Sequence, residues 1–571
     1  MRVFIATILL TISLQGTGQT VWENHHAPVY GYLSRMAMKG HIELNDVILP
    51  ISRAKILEHL DTLQTKQLSA IEKKELGFYL QEFKAGFSGS ATAVLSTPKN
   101  RDSTPQTSSP AFPLPSAGKL TPTFPSSLSI FKKDPNNRFR FLGVNNPDFK
   151  LFIDPILGYK QVSGTEMSFR EMSNGINLWG QAKRFGFQMY YRDYTLTGDG
   201  LNNINSENPT TGIIDLINRD PKKKNHNEIK GHVSYAWKNG SVSLGKDHLL
   251  FGYGESGKII LSDRAPSYPY IRLDYNPLKW LHFNYAHAWL NSNLVDSART
   301  YGTGTTGVSG DIRVRYISKF LVTHSLTLLP LKGLSVTLGE SMVYSDKLDV
   351  GFMIPLMYFK AYDNNRSNYL INAGSNGQLF LQVSSRNHIK NTHLYANMFI
   401  DELSVTKVFD KMKSRNQLGV LMGASVTDLF LPYFTLGAEY TRVNPFVYRN
   451  LIPAQDYIQY KQELGDWMGN NFDRIALMAK YSPIPKLRLD LRLQKIRKGG
   501  AGTLVQQYQA EPQPEFLFDY QKSRTDIIFN AQYEWINNLY FFAGYHHKTN
   551  KPANAVMQSN RLVNIGMSWG L

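Results

Sequence analysis

From about residue 137 to Leu571, apolar and polar side chains alternate one by one. Successive side chains of a strand point to opposite faces, so a period of two demands β-structure rather than helix. Lys486 to Gln494 places Leu487, Leu489, Leu491 and Leu493 on one face, with Lys486, Arg488, Asp490, Arg492 and Gln494 on the other. Asp526 to Trp535 sets Ile527, Phe529, Ala531, Tyr533 and Trp535 against Asp526, Asn530, Gln532 and Glu534. The closing run sets Val563, Ile565, Met567 and Trp569 against Asn564, Gly566 and Ser568. A soluble β-sandwich also alternates. It accounts less well for charges on the polar face and for so many Tyr, Phe and Trp on the apolar one. A lipid-facing wall with aromatic girdles around a wet lumen accounts for both.

Link lengths provide a separate test. Counted back from Leu571, short links at 536–538, 482–485, 427–432, 386–390, 330–333, 276–279 and 238–240 alternate with long ones. The long ones fall at 550–559, 498–523, 444–471, 402–416, 345–375, 291–310, 249–269 and 198–227. Short periplasmic turns and long extracellular loops give this asymmetry. With strands near 150–160 and 163–177, the sequence predicts a mainly β fold, a transmembrane antiparallel barrel of about 18 strands over 137–571. A mean hydropathy of −0.31 excludes a bundle of transmembrane helices. The chain has no cysteine, which removes disulfide scaffolds, thiolate zinc sites and iron–sulfur clusters.

Ahead of the barrel the period changes. Arg2, the apolar run Val3 to Leu14, and Gly16 and Gly18 read as a signal peptide over 1–18, cut before Gln19. Residues 19–87 read as a periplasmic helical bundle. Pro28 opens a helix through Met38, ended by Gly40; Ser52 precedes Ile56, Leu57, Leu60 and Leu63 at helical spacing; Ser69-Ala70-Ile71-Glu72 is a capping box. Residues 88–136, rich in Ser, Thr and Pro, read as a linker. The expected location is the outer membrane of a Gram-negative cell, with the helices on the periplasmic side.

The net charge of +18 points to an anionic partner. Export removes nucleic acid, leaving lipopolysaccharide, other outer-membrane lipid and acidic surface polysaccharide. A monomer is expected.

Several segments resemble one family in order along the chain. Pro28-Val29-Tyr30-Gly31-Tyr32-Leu33, Gly40-His41-Ile42, Leu49-Pro50-Ile51-Ser52-Arg53 and Leu68-Ser69-Ala70-Ile71-Glu72-Lys73 look like the opening of capsule assembly proteins of the Wzi family. Ser243-Leu244-Gly245-Lys246-Asp247, Phe251-Gly252-Tyr253-Gly254 and Leu261-Ser262-Asp263-Arg264-Ala265-Pro266-Ser267 are similar to its most recognisable stretch, and Tyr285-Ala286-His287-Ala288-Trp289-Leu290 fits as well. The resemblance implies an outer-membrane barrel of about 18 strands, a periplasmic helical bundle and a lectin-like role in attaching capsular polysaccharide.

Of the candidate chemistries, the motif Gly252 to Gly257 matches a dinucleotide fingerprint, with Asp274 downstream, but lacks the following helix and any βαβ unit. It reads as a Gly-rich loop that folds over or into the barrel. The pairs His25-His26 and His546-His547 point apart if they lie on strands, so no metal is expected. No Ser–His or His–carboxylate spacing assigns a nucleophile and base, so neither catalysis nor a cofactor is expected.

The polysaccharide reading rests on two residue types. Inward basic positions, Arg313, Arg315, Arg488 and Arg492 among them, could fork uronate or phosphate oxygens; Lys222, Lys223 and Lys224 add loop charge. A lumen stiffened by ion pairs would need the same residues. Loop aromatics stack on pyranose faces, and they are densest in 444–471, where Tyr457, Tyr460 and Trp467 lie. The leading function is a non-enzymatic, lectin-like polysaccharide-attachment barrel; the alternative is a channel for small anionic solutes.

Overall fold

The computed structural model describes residues 21–84, 128–134 and 138–570, apart from 147, 206–207, 215–219, 305–310, 371–373, 404–409 and 411–414. The expected signal peptide and most of the expected linker lie outside them.

Eighteen antiparallel strands close into a barrel. They are β1 Phe149–Gly164, β2 Ser168–Ala182, β3 Phe185–Asp199, β4 Lys223–Trp237, β5 Gly240–Asp247, β6 Tyr268–Leu278, β7 Leu281–Val295, β8 Tyr316–Leu331 and β9 Leu334–Ser345. There follow β10 Asn376–Arg386, β11 Thr392–Glu402, β12 Gln417–Thr427, β13 Phe434–Val443, β14 Phe472–Tyr481, β15 Leu487–Lys498, β16 Lys522–Ile536, β17 Leu539–Pro552 and β18 Gln558–Trp569. Strand β18 returns to β1, with Leu562 opposite Gly164 and Trp569 opposite Leu157. Of the segment read as linker, Leu128–Lys133 is a strand, paired with Phe139–Asn145. That hairpin adds to the first residues of β1, on the edge that β18 leaves open.

One end carries tight turns such as 183–184, 238–239, 332–333 and 537–538; the other carries 200–222, 248–267, 346–375 and 444–471. One link at the long-loop end, 553–557, is shorter than the expected 550–559. The turn at Gly333 needs φ +80, and a Cβ there would strike the Arg386 carbonyl oxygen.

The pleat sorts the wall as the alternation demands. On β10, Gln378, Phe380, Gln382, Ser384 and Arg386 are buried inward, while Leu379 is 43% exposed outward. Leu338, Met422, Leu477, Leu493 and Ile565 continue the exposed apolar belt on other strands. Such a belt suits hydrocarbon.

The interior is not the wet lumen that the sequence suggested. A hydrophobic cluster fills it, built from wall residues Phe380, Phe399, Leu421, Phe472 and Ile496 and from two loops that fold inward. Loop 248–267 supplies Leu249, Phe251, Ile259, Ile260 and Leu261; loop 444–471 supplies Tyr448, Tyr457, Leu464 and Trp467. The Gly-rich motif is the inner part of the first loop, with Gly252 at φ +95 against Asn397 and Gln382. The loop amides find side-chain acceptors on the wall. Ser256 donates to Glu439 through N–H (2.9 Å) and Oγ (2.5 Å), and Tyr253 N–H donates to Asn397 Oδ1 (3.1 Å). A buried loop is stable only with such partners.

Three helices close the short-turn end: α1 Val29–Met38, α2 Arg53–Gln64 and α3 Ala70–Lys84. Ser52 Oγ accepts from Lys55 N–H (3.3 Å) as the cap of α2. The Ser69–Glu72 box forms, with Ser69 N–H donating to Glu72 at 2.7 Å. Leu33, Met36, Ile56, Leu60 and Leu63 form its fully buried core, each worth roughly 1.5–3 kcal/mol. Arg35 clamps this core to the barrel. It donates to Glu72 (2.7 Å) and, through a second nitrogen, to Asp428 in the 428–433 turn (2.6 and 2.7 Å). Tyr433 OH donates to Glu75 (3.0 Å). Between α1 and α2 the chain reaches inward, and Ile48–Leu49 pairs with Leu250–Phe251 of the in-folded loop.

Loop 346–375 takes the opposite course, over the outside of the wall. Its Phe352 and Phe359 bury Phe320, Val322, Met342 and Tyr344, which occupy outward positions of β8 and β9. Helix α4, Phe359–Leu370, starts against Glu340, which accepts from Phe359 N–H (2.7 Å) and Lys360 N–H (3.3 Å).

Candidate functional site

The sequence-predicted binding residues do not share one place. Tyr457 and Trp467 lie in the interior cluster, 1% and 5% exposed. Tyr457 stacks on Tyr448 with ring centres 5.7 Å apart. Trp467 donates from Nε1 to the Ser256 carbonyl oxygen (2.9 Å) and lies 5.3 Å from the Arg474 and Arg524 guanidinium groups. Neither ring offers a face to a ligand outside. Both act as core, which corrects the expectation drawn from loop composition: a loop that turns inward packs its aromatics instead of displaying them. Tyr460 is partly exposed at the tip of the Ile458–Gln459/Gln462–Glu463 hairpin, with φ +48.

The inward basic positions are largely engaged by the plug. Arg474 and Asp466 are both fully buried and bonded twice, at 3.0 and 2.6 Å. Lys480 pairs with Glu255 of the in-folded loop (2.5 Å). Arg488 donates to the Tyr79 hydroxyl of α3, at the short-turn end. Arg492 sits inside, its field acting on Glu255 and Asp490, with its buried Nε lacking a hydrogen-bond partner. For Arg474 and Lys480 the ion-paired lumen is the better description, and the buried Arg474 and Asp466 charges need one another.

Arg313 and Arg315 are not in the lumen. They lie exposed on the β7–β8 link, where Ile312–Arg313 pairs with Tyr301–Gly302. Tyr301, directly opposite Arg313, is 53% exposed, and Tyr316 at the start of β8 is 47% exposed. Arg299, held to Asp296 at 3.5 Å, adds a third guanidinium that is itself 68% exposed. Arg299, Tyr301, Arg315 and Tyr316 line a cleft of about 550 Å³. Arg315 N–H bonds Thr300 Oγ1 (3.1 Å), and Asp296 N–H bonds the Arg315 carbonyl (2.7 Å), so backbone contacts fix the two arms. Here planar cations and flat rings share one outward surface, the combination that holds carboxylates and pyranose faces.

Sequence reasoning named Arg313 and Arg315 but missed Arg299, Tyr301 and Tyr316. The signal was an Arg–Tyr association in each arm, Arg299-Thr300-Tyr301 and Arg315-Tyr316, which only hairpin pairing brings together. The remaining charge run lies elsewhere on the rim. Lys222 pairs with Asp199 at 3.1 Å, both about 70% exposed, and Lys223 and Lys224 begin β4 opposite Thr197 and Leu196.

Comparison with known proteins fits this architecture. A search of curated proteins returns no match. Among solved structures, Wzi of Escherichia coli, described as an outer-membrane, carbohydrate-binding β-barrel involved in group 1 capsule assembly, aligns with a TM-score of 0.57 at 12% identity, covering 97% of this chain and 100% of that one. OccK5 of Pseudomonas aeruginosa aligns with a TM-score of 0.39 at 12% identity, over 74% of this chain and 98% of that one. OprD of the same organism aligns with a TM-score of 0.40 at 10% identity, over 73% and 94%. The family described as capsule assembly protein Wzi matches residues 207–550, from the β3–β4 loop into β17, and the chain belongs to that family.

Proposed function

We propose that this chain is an outer-membrane, lectin-like barrel that attaches or organises capsular polysaccharide at the cell surface without chemical turnover. The observation that carries the reading is the exposed Arg299, Tyr301, Arg313, Arg315 and Tyr316 surface beside a barrel whose interior is packed. The short-turn end, with its helices, faces the periplasm, and the long-loop end faces outward, as barrels of this class are oriented. Packing across the lumen disfavours the channel alternative.

A long polymer engaging several such barrels binds by avidity, since each held repeat raises the effective concentration of the next. Exposed charge pairs supply only about 0–1 kcal/mol each, so ring stacking must add orientation. The test is retention of capsule on cells expressing Arg313→Ala/Arg315→Ala or Tyr301→Ala/Tyr316→Ala, with barrel folding checked by heat-modifiable migration. Capsule is expected to move into the medium. Full retention by both folded double variants would sink the assignment of this surface. Equal binding of neutral and acidic polymers by the purified protein, insensitive to salt, would sink the electrostatic component.

A further inference from the structure

We propose that the chain holds a divalent transition-metal ion of the zinc class where its N-terminal turn meets the in-folded loop, with His25, Asp247 and His248 as donors. The three come from two separate segments, the turn before α1 and the end of β5 with the residue after it. Donor atoms of His25, Asp247 and His248 lie within 4.8 Å of one another, as do those of His25, His26 and Asp263. His25 Nε2 is 3.2 Å from Asp263 Oδ2, and His248 Nδ1 is 3.7 Å from Asp247 Oδ1. A tetrahedral ion with bonds of about 2.0–2.1 Å places its donors roughly 3.3 Å apart.

A second observation points to a ligand. The His248 side chain is 1% exposed, and its Nε2 meets the Ala265 carbonyl oxygen at 3.0 Å. A carbonyl only accepts, so Nε2 carries a hydrogen, and in the neutral imidazole Nδ1 then presents a lone pair. That Nδ1 is buried, has no hydrogen-bond partner and faces a carboxylate, itself an acceptor. A backbone carbonyl that orients the second nitrogen of an imidazole is the usual support for a metal ligand. The other charged groups facing the cluster are Asp263, beside His25, then Lys230, 3.9 Å from Asp247 and held by Glu228 at 2.7 Å, and His26, 58% exposed and 3.7 Å from Asp263. Imidazole with carboxylate suits zinc or cobalt rather than calcium or magnesium. The expectation of no metal assumed that His25 and His26 lie on a strand; they lie in a turn.

The test is a Co²⁺ titration of the purified, chelator-stripped full-length protein, read by the visible absorption of tetrahedral cobalt. One equivalent should bind and be displaced by Zn²⁺. His25→Ala and His248→Ala should each weaken binding tenfold or more, while His388→Ala, in a tight turn, should not. Absence of saturable binding by the parent protein overturns the proposal, as does unchanged binding in the His25 and His248 variants.

A different region carries a second inference: we infer that residues 350–358 of the loop on the outer wall are immersed in acyl chains. The loop covers outward apolar wall residues with Phe352 and Phe359, yet its own far side shows Val350 (71% exposed), Ile354 (46%), Leu356 (82%) and Tyr358 (56%). On the same outer face, Leu326 and Leu338 are 40% and 55% exposed. Non-helical backbone survives in hydrocarbon only when its polar groups are bonded within the protein. Here His324 Nδ1 is 2.9 Å from the Pro355 oxygen, Ile354 N–H donates to Gly351 and Met357 N–H donates to Ile354. The outward Glu340 is covered by the first amides of α4 and lies 3.0 Å from His324 Nε2.

The cysteine-free chain makes a single spin label at Leu356→Cys unambiguous. In phosphatidylcholine vesicles that label should relax faster with oxygen than with a water-soluble nickel chelate. A label at Glu58→Cys, on helix α2, should show the reverse. Preferential nickel access at 356 overturns the inference, and so does dipolar coupling between labels, which would make a second copy the occupant.

Discussion

Arg474 shows why a charge of one sign on an inward strand position says little about a ligand. Its partner, Asp466, arrives from loop 444–471, and Gly257 of the other in-folded loop passes so close that a Cβ would strike both side chains. Breaking a buried pair leaves the other charge unpaired, at a cost of about 3–5 kcal/mol. Asp466→Ala should therefore lower the urea midpoint and the heat-modification temperature of the barrel sharply, and Trp467→Ala, which empties a large core position, should cost a similar ~3–5 kcal/mol. Arg313→Ala and Arg315→Ala, at exposed positions, should leave both unfolding measurements within error. Equal destabilisation by Trp467→Ala and Arg313→Ala would contradict this division between plug and surface.

At the scale of elements, the docked helices and the wall strands respond to different conditions. Burial would raise the Glu72 carboxyl, but hydrogen bonds from Lys39, Ser69 N–H and Arg35 outweigh it and hold the group down to about 2. Burial pushes His59 of α2 down to about 4. A depressed carboxyl contributes stability above its unfolded value of 4.5 that is lost as pH falls towards 2. A histidine kept neutral by the fold loses its contribution as pH falls from 6.5 towards 4. The bundle should loosen on acidification from about pH 6 downwards while the barrel ladder holds. Limited proteolysis of the purified protein at graded pH should release 53–84 fragments first; simultaneous loss of barrel and bundle would contradict separate responses. Along β15, outward Leu487 to Leu493 give way to outward Lys495 and Arg497, marking where the wall leaves hydrocarbon. Leu491→Arg should impair assembly by about 2–4 kcal/mol if it lies near the midplane. Arg488→Leu, facing α3, should be milder on the heat-modifiability gel.

For the whole molecule, the three helices and two in-folded loops convert a ring of strands into a filled cylinder. The chain therefore buries an aromatic core like a soluble domain inside a wall that is apolar on its outer side. In planar bilayers the purified protein should pass no steady current of the size expected for an open 18-stranded barrel. A stable large conductance would show that the packed interior is not the state in a membrane.

The strand number, the two faces of strands such as β15, β16 and β18, and the helix starts at Ser52 and Ser69 were legible in the sequence, because each depends on neighbours one to four residues apart. Tyr457 and Trp467 were misread, and Arg299, Tyr301 and Tyr316 were overlooked, because their surroundings depend on which way a loop turns after its strand ends. That choice lies in contacts such as Ile48–Leu49 with Leu250–Phe251 and Ser256 with Glu439, made between residues about 200 positions apart. No local period records them. The sequence by itself determined a barrel and the two faces of its wall; only the tertiary structure decided that the interior is closed and that the basic, aromatic surface lies outside it.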